Sequence, residues 1–324
     1  MKRSLVFLSL SALAMACSAQ SSVTISGALR SAVTHSNDGT TPTEEGIVDG
    51  WSLADHSSAL IFSGKEDLGG GMYAGFELAT FVHTDVGAAR TPFWARRSVV
   101  KVGGSFGEIY LGRSLTPQQL MALLSDPWYW DGSGSQVGWF VQQAHYRSTA
   151  FIRTNNTLGY VSPSIAGLTL SLAASAGEGT VSRDVGGSLV YSSGPIWAGI
   201  AHDRSHGFFN NPTEDTITTV VGAYDFGAVR PMASFTSSKV NGVSYKGYSL
   251  AVTAPVGSGS VKAQVASLDD IDTVAVDKQK FTKVGLGYEH SLSKRTSVFV
   301  QASHAKAQTY TAKNVVEIGM QHGF

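Results

Sequence analysis

Cysteine is nearly absent from this chain of 324 residues, with Cys17 the single example. That excludes a disulfide scaffold, and with no CxxC pair and no Cys/His ladder it excludes structural zinc as well. Charge is scarce, at 15% of residues against about 25% in soluble domains. After the amino-terminal segment no run approaches the roughly 20 apolar residues of a membrane helix. Mean hydropathy is only +0.03, far below that of a helical membrane protein. With 24 basic and 24 acidic groups there is no electrostatic footprint for nucleic acid. What the chain does have is glycine, 36 residues of it, and 43% apolar residues spread evenly. Many short strands suit that composition.

Residues 1–19 read as a secretory signal: Lys2-Arg3 is the charged start, and Leu5 to Ala16 is an apolar run of the expected length. Cleavage after Ala19 leaves Gln20 first, and cleavage after Ala16 fits the small-residue rule nearly as well. Cys17 would be a lipidation site in another context, but Ala14-Met15-Ala16 is a poor one, so it is read as discarded with the signal. Removing Lys2 and Arg3 leaves a net charge of about −2 on residues 20–324, which read as one domain.

From Val23 onward the pattern has period two. Val23, Ile25, Leu29 and Val33 share one parity; Thr24, Ser26 and Arg30 take the other. Leu168, Leu170 and Leu172 oppose Thr169 and Ser171, while Ile318 and Met320 oppose Glu317 and Gln321. Such alternation gives strands with one apolar and one more polar face. The breaks alternate too. Tight ones, such as Asp67-Leu68-Gly69-Gly70-Gly71, Ser193-Gly194-Pro195 and Leu292-Ser293-Lys294, interleave with long polar ones at 36–57, 85–92, 114–149, 205–214, 269–278 and 306–313.

This spacing predicts sixteen strands: 22–35, 58–68, 72–84, 93–103, 106–113, 150–162, 167–176, 183–193, 195–205, 215–226, 228–238, 244–255, 259–268, 279–290, 295–306 and 314–324. An even number of antiparallel strands, each long enough to cross a bilayer when tilted, with short turns at one end and long loops at the other, is the signature of an all-β transmembrane barrel. A secreted β-sandwich would have strands of about 5–6 residues, and no repeat of 20–50 residues supports a solenoid.

Several stretches resemble the general porins of Gram-negative bacteria, of the neisserial and β-proteobacterial trimeric type. They are Ser21-Ser22-Val23-Thr24-Ile25-Ser26-Gly27, the hairpin Phe62-Ser63-Gly64-Lys65-Glu66-Asp67-Leu68-Gly69-Gly70-Gly71, and the run from Arg96-Arg97 through Gly103-Gly104-Ser105-Phe106-Gly107 to Leu111-Gly112-Arg113. Asn155 to Pro163 and the closing Gly319-Met320-Gln321-His322-Gly323-Phe324 complete the set, while 177–280 matches only in rhythm. The resemblance implies an outer-membrane location reached through the periplasm and passive passage of ions and small hydrophilic solutes. It also implies a homotrimer in outer-membrane lipid and a third loop that constricts the channel. Phe324, ending a strand on the parity of Val316, Ile318 and Met320, is expected to be the assembly signal. Ala59 stands where relatives often carry a basic residue, so one wall charge is missing.

A barrel of sixteen strands is too wide for side chains to fill, so its lumen holds water unless a segment folds in. Segment 114–149 is the candidate, because Leu115, Leu120, Met121, Leu123, Leu124, Trp128, Tyr129 and Trp130 are unusual in a solvated loop. The alternative is a surface loop with a short amphipathic helix at subunit contacts. Fixed charges facing such a loop would set ion preference. The basic candidates are Arg96, Arg97, Lys101, Arg113, Arg147 and Arg153, and the acidic ones Asp126 and Asp131. Parity puts Arg97, Lys101 and Arg153 on the lumen side; Arg96 has the opposite parity and belongs near the rim. The basic excess points to weak anion preference.

Nothing else carries chemistry. His202 and His206 share a strand face without a third ligand, and Asp269-Asp270-Ile271-Asp272 reads as a solvated loop before it reads as a calcium site. No HExxH or P-loop occurs. The sequence therefore reads as a channel with no cofactor, no metal, no nucleic acid and no catalysed reaction; a substrate-selective channel is the alternative to a general pore.

Overall fold

The computed structural model describes residues 22–37, 44–48, 58–136, 152–177, 183–206, 214–240, 243–270, 280–307 and 310–324. Residues 1–19, read from the sequence as a signal, and Arg147 lie outside them. Among the described residues eighteen strands and one helix are formed. In chain order they are β1 (Ser22–Asn37), β2 (Glu44–Val48), β3 (Ala59–Gly69), β4 (Met72–His83), β5 (Ala88–Ala89), β6 (Arg97–Gly104) and β7 (Gly107–Leu115). The helix α1 (Pro117–Leu124) follows, and then β8 (Arg153–Val161), β9 (Leu168–Ser175), β10 (Arg183–Ser193), β11 (Ile196–His206) and β12 (Glu214–Tyr224). The remainder are β13 (Arg230–Val240), β14 (Val243–Val256), β15 (Gly259–Asp270), β16 (Lys280–Ser291), β17 (Thr296–Ala307) and β18 (Tyr310–Gly323).

Sixteen long strands form a closed antiparallel barrel; β2 and β5 are short additions inside the long connections, on β1 and β4. Closure runs through β1. Its first half pairs with β3, from Ser22↔Lys65 to Ala28↔Ala59, and its second half pairs with β18, from Ala28↔Gly323 to Asn37↔Asn314. The last residue completes the seam: Gly27 N–H donates to the Phe324 carbonyl at 3.1 Å, and Phe324 N–H to the Gly27 carbonyl at 3.0 Å. Among the described residues each of the sixteen long strands is paired on both sides, which is the condition for strands to satisfy their backbone in lipid.

Burial follows an inside-out rule. Val33, Leu250 and Ile318 are each 63% exposed on the outer face, whereas Gln301, Glu317 and Asp203 are 2–3% exposed on the inner one. A soluble barrel would reverse this. The apolar side faces outward because lipid, not water, covers it, and the polar side faces the lumen.

The expected strands recur with boundaries shifted by a few residues. The largest changes are at β6, which begins at Arg97 because Phe93 and Trp94 turn away into edge-on ring contacts (Phe93–Trp94 4.6 Å, Phe62–Trp94 5.8 Å), and at β18, which begins at Tyr310.

Candidate functional site

The segment after β7 turns into the barrel. Thr116 caps α1, accepting the Gln119 N–H at 3.1 Å, and Pro117 occupies the first turn, where its missing N–H costs nothing. One face of the helix lies on the inner wall of β11 and β12: Met121 packs with Ala201 and Val221, and Gln118 Nε2 donates to Thr219 Oγ1 at 2.8 Å. Another face packs Ala122 and Leu123 against Trp130 and Ile152. Leu120 and Leu124 stay exposed to the lumen.

Beyond α1 the chain reverses through two left-handed residues, Tyr129 (φ 51°) and Trp130 (φ 65°). Each such residue costs about 1–2 kcal/mol, offset here by burying Trp128 and Trp130. Asp126 ties this reversal together. Trp128 N–H donates to its Oδ1 and Gln136 N–H to its Oδ2, both at 2.8 Å. Burial outweighs these bonds and the pull of Lys283 and Lys262, pushing Asp126 up to about 6.

The segment then docks on the wall of β16, β17, β18 and β1. Asp131 pairs with Arg30 at 3.4 Å, and the Arg30 guanidinium lies 3.6 Å over the Phe299 ring. Ser133 N–H donates to Glu317 Oε2 at 2.8 Å and Gly134 N–H to Gln301 Oε1 at 3.1 Å. Gln301 Nε2 donates to Glu317 in turn, at 2.5 Å. The backbone of Gly134 runs so close over Gly285 that a Cβ there would overlap its carbonyl. Residues 116–136 therefore contact the inner wall at β11 and β12 and again from β16 to β1, narrowing the lumen by their own width.

The charged residues divide by environment. Arg97 faces the lumen beside Glu77 (3.4 Å), and Lys101 pairs with Glu108 (3.0 Å), which also accepts from Tyr73 at 2.7 Å. Arg153 is buried, its Nε donating to the Arg96 carbonyl at 2.8 Å and its guanidinium 5.1 Å from the Phe81 ring. Arg96 precedes β6, half-buried, with its N–H on the Ala79 carbonyl. Arg113 shares the parity of the exposed Ile109 and Leu111 and donates to Ala95 O and Asn155 Oδ1, so it stands on the outward side of the ladder. Asp126 and Asp131 are both buried anchors of the loop. Arg30, Gln301 and Glu317 are anchors that spacing alone does not single out, although Arg30 sits on the polar parity of β1. Ala59 is buried on the inner wall.

Where the loop leaves the wall, a cavity of about 360 Å³ opens between Asp126, Pro127 and Tyr129 on one side and Arg230, Met232 and Lys262 on the other. Lys262 is paired with Glu289 at 2.8 Å. Arg230 has no carboxylate at salt-bridge distance among the described residues; its Nη1 approaches Met232 Sδ at 2.9 Å.

A closed barrel that is apolar outside and polar inside, with a loop docked across its inner wall, defines an aqueous membrane channel. Residues 6–310 match the Gram-negative porin family, and the chain belongs to it. It is 33% identical to outer membrane porin protein 32 of Delftia acidovorans, over all of this chain and 96% of that protein. It is 24% identical to the major outer membrane protein P.IA of Neisseria meningitidis serogroup C, over 84% of each. Among solved structures, the anion-selective porin from Comamonas acidovorans superposes with a TM-score of 0.82 at 28% identity, covering 94% of this chain and all of that one. The protein is a porin of the bacterial outer membrane, passing ions and small hydrophilic solutes by diffusion.

Proposed function

We propose that this porin is a homotrimer with a weak preference for small anions, and that it catalyses no reaction. The observation that carries the preference is the charge around the cavity below the loop. Among the described residues Arg230 there is cationic with no carboxylate at salt-bridge distance, whereas Asp126, the facing acid, is buried and occupied by two backbone N–H groups. A fixed cation beside a narrow passage raises the local anion concentration. The Comamonas relative is described as anion-selective. The paired charges, Arg97–Glu77, Lys101–Glu108 and Lys262–Glu289, nearly cancel, and Ala59 adds none, so the preference is weak.

The trimer is supported by the outward faces of β1, β3, β4 and β6. Val23, Ile25, Leu29, Val33, Leu60, Phe62, Leu78 and Val100 lie there, and among the described residues of these strands Glu66, at the short-turn end of β3, is the one Lys, Arg, Asp or Glu on the same parity. Planar-bilayer recording tests both parts. The expected record shows three equal closing steps and an anion-directed reversal potential in a KCl gradient. Arg230→Ala should reduce that potential, and the effect should fade near 1 M, where the Debye length is about 3 Å. A cation-directed potential, or no change in Arg230→Ala at low salt, would reject the preference. Single-step closure would reject the trimer, and saturable flux blocked by one solute would mark a substrate-selective channel instead.

A further inference from the structure

We propose that the outer face of β13–β17 binds phosphorylated lipid headgroups of the outer leaflet through a row of lysines at its long-loop end. The alternation fixes which side chains point to lipid. Phe235, Tyr248, Val265, Val284 and Ala302 are linked by cross-strand pairing and share the outward side. Counting by twos along each strand toward the long loops reaches Lys239, Lys246, Asp269, Lys280 and Lys306. All four lysines are exposed.

The register makes them a continuous row. Lys246 lies opposite Asp269, Asp269 opposite Lys280, and Lys306 opposite Thr282, two residues from Lys280. Lys239 is diagonal to Lys246, which faces Ser237. At about 4.8 Å per strand the row spans about 20 Å, enough for a headgroup with more than one phosphate. Asp269 is the one acid in it, and its 3.7 Å contact with Lys280 is solvent-exposed and weak.

Height and asymmetry both point to lipid. Phe235 and Tyr248 stack at 5.2 Å on the outward side, with Tyr248 46% exposed, and aromatic rings of this kind mark the bilayer interface. The lysines begin one outward position above that pair, at the level of headgroup phosphates. Rim charges needed only for hydration would mix both signs and surround the barrel. Here the row is four to one basic, while the outward parity of β1, β4, β6, β9 and β18 carries no Lys, Arg, Asp or Glu among the described residues.

The test uses the purified full-length barrel reconstituted in phosphatidylcholine nanodiscs doped with a bisphosphorylated glycolipid or with its dephosphorylated form. Native mass spectrometry reads the lipid retained. The parent should retain the phosphorylated form at least tenfold better, with retention falling as salt rises. A cation near an anionic surface contributes about fivefold in affinity. Replacing Lys239, Lys246, Lys280 and Lys306 together with Gln should therefore remove the preference, with single-channel conductance unchanged as the control for folding. Asp269→Asn should strengthen retention. Equal retention of both lipids, or an unchanged preference in the fourfold variant, would overturn the proposal. So would full displacement by 10 mM inorganic phosphate, which would make the row a free-phosphate site.

Discussion

Gly285→Ala is the smallest change that should loosen the channel's inner loop while leaving every charge in place. Gly285 lies on the lumen side of β16, directly under the backbone of Gly134. An added Cβ would overlap the Gly134 carbonyl oxygen and stand 2.9 Å from its carbon and 3.0 Å from its Cα. Ordinary carbon contacts are about 3.5–4.0 Å, so the loop must rise by about 1 Å. Overpacking of this size costs about 1–3 kcal/mol. Lifting Gly134 also stretches its bond to Gln301 and the neighbouring bond from Ser133 to Glu317, each worth about 1–2 kcal/mol. Taking 2–3 kcal/mol as the net, the undocked fraction rises by roughly 30- to 150-fold. Single-channel recording should show larger open-state noise with frequent excursions to higher conductance. The matched control is Gly222→Ala on β12, where a Cβ meets nothing within 4 Å. Identical noise and conductance in Gly285→Ala and Gly222→Ala would refute the docking of Gly134 on β16.

Arg30→Met should leave Asp131 and Glu317 without their cation; breaking a buried pair costs about 3–5 kcal/mol, so protease cleavage within 126–136 should rise sharply in the folded barrel. Asp126 has a raised pKa in the docked loop, so docking binds the proton more tightly than the free loop does. Docking is then strongest below the ordinary carboxylate range and weakens as pH rises through about 6. Open-channel noise should follow that titration in the parent and lose it in Asp126→Asn; a pH-independent parent would contradict it. Deleting Phe324 removes both bonds to Gly27 at the seam, and should slow assembly and reduce the heat-modifiable folded form. A normal folded yield would count against the seam's role.

The barrel was legible because lipid on one side and water on the other impose a strict period of two, and because loop lengths alternate. Less was legible where tertiary contacts override local pattern. The short β2 and β5 lie inside polar stretches and exist only by pairing to β1 and β4. The cap Thr116-Pro117 announces α1, but only Ala201, Val221 and Thr219 across the lumen say where it rests. Asp126 and Asp131 look like pore charges in the sequence, and their use as anchors depends on Gln136 N–H, ten residues on, and on Arg30, a hundred residues away. Arg113 is a basic candidate by its place in Leu111-Gly112-Arg113, while its parity with Leu111 sets it on the outer side.

The inward fold of residues 116–136 is tested most directly by single-channel conductance of a barrel from which 118–134 has been excised and replaced by a short Gly-Ser link. Every wall strand is kept, so a folded, heat-modifiable barrel is the internal control. With the loop gone, conductance should rise severalfold and larger neutral sugars should enter. Unchanged conductance and an unchanged size limit in that folded barrel would mean that these residues do not narrow the channel.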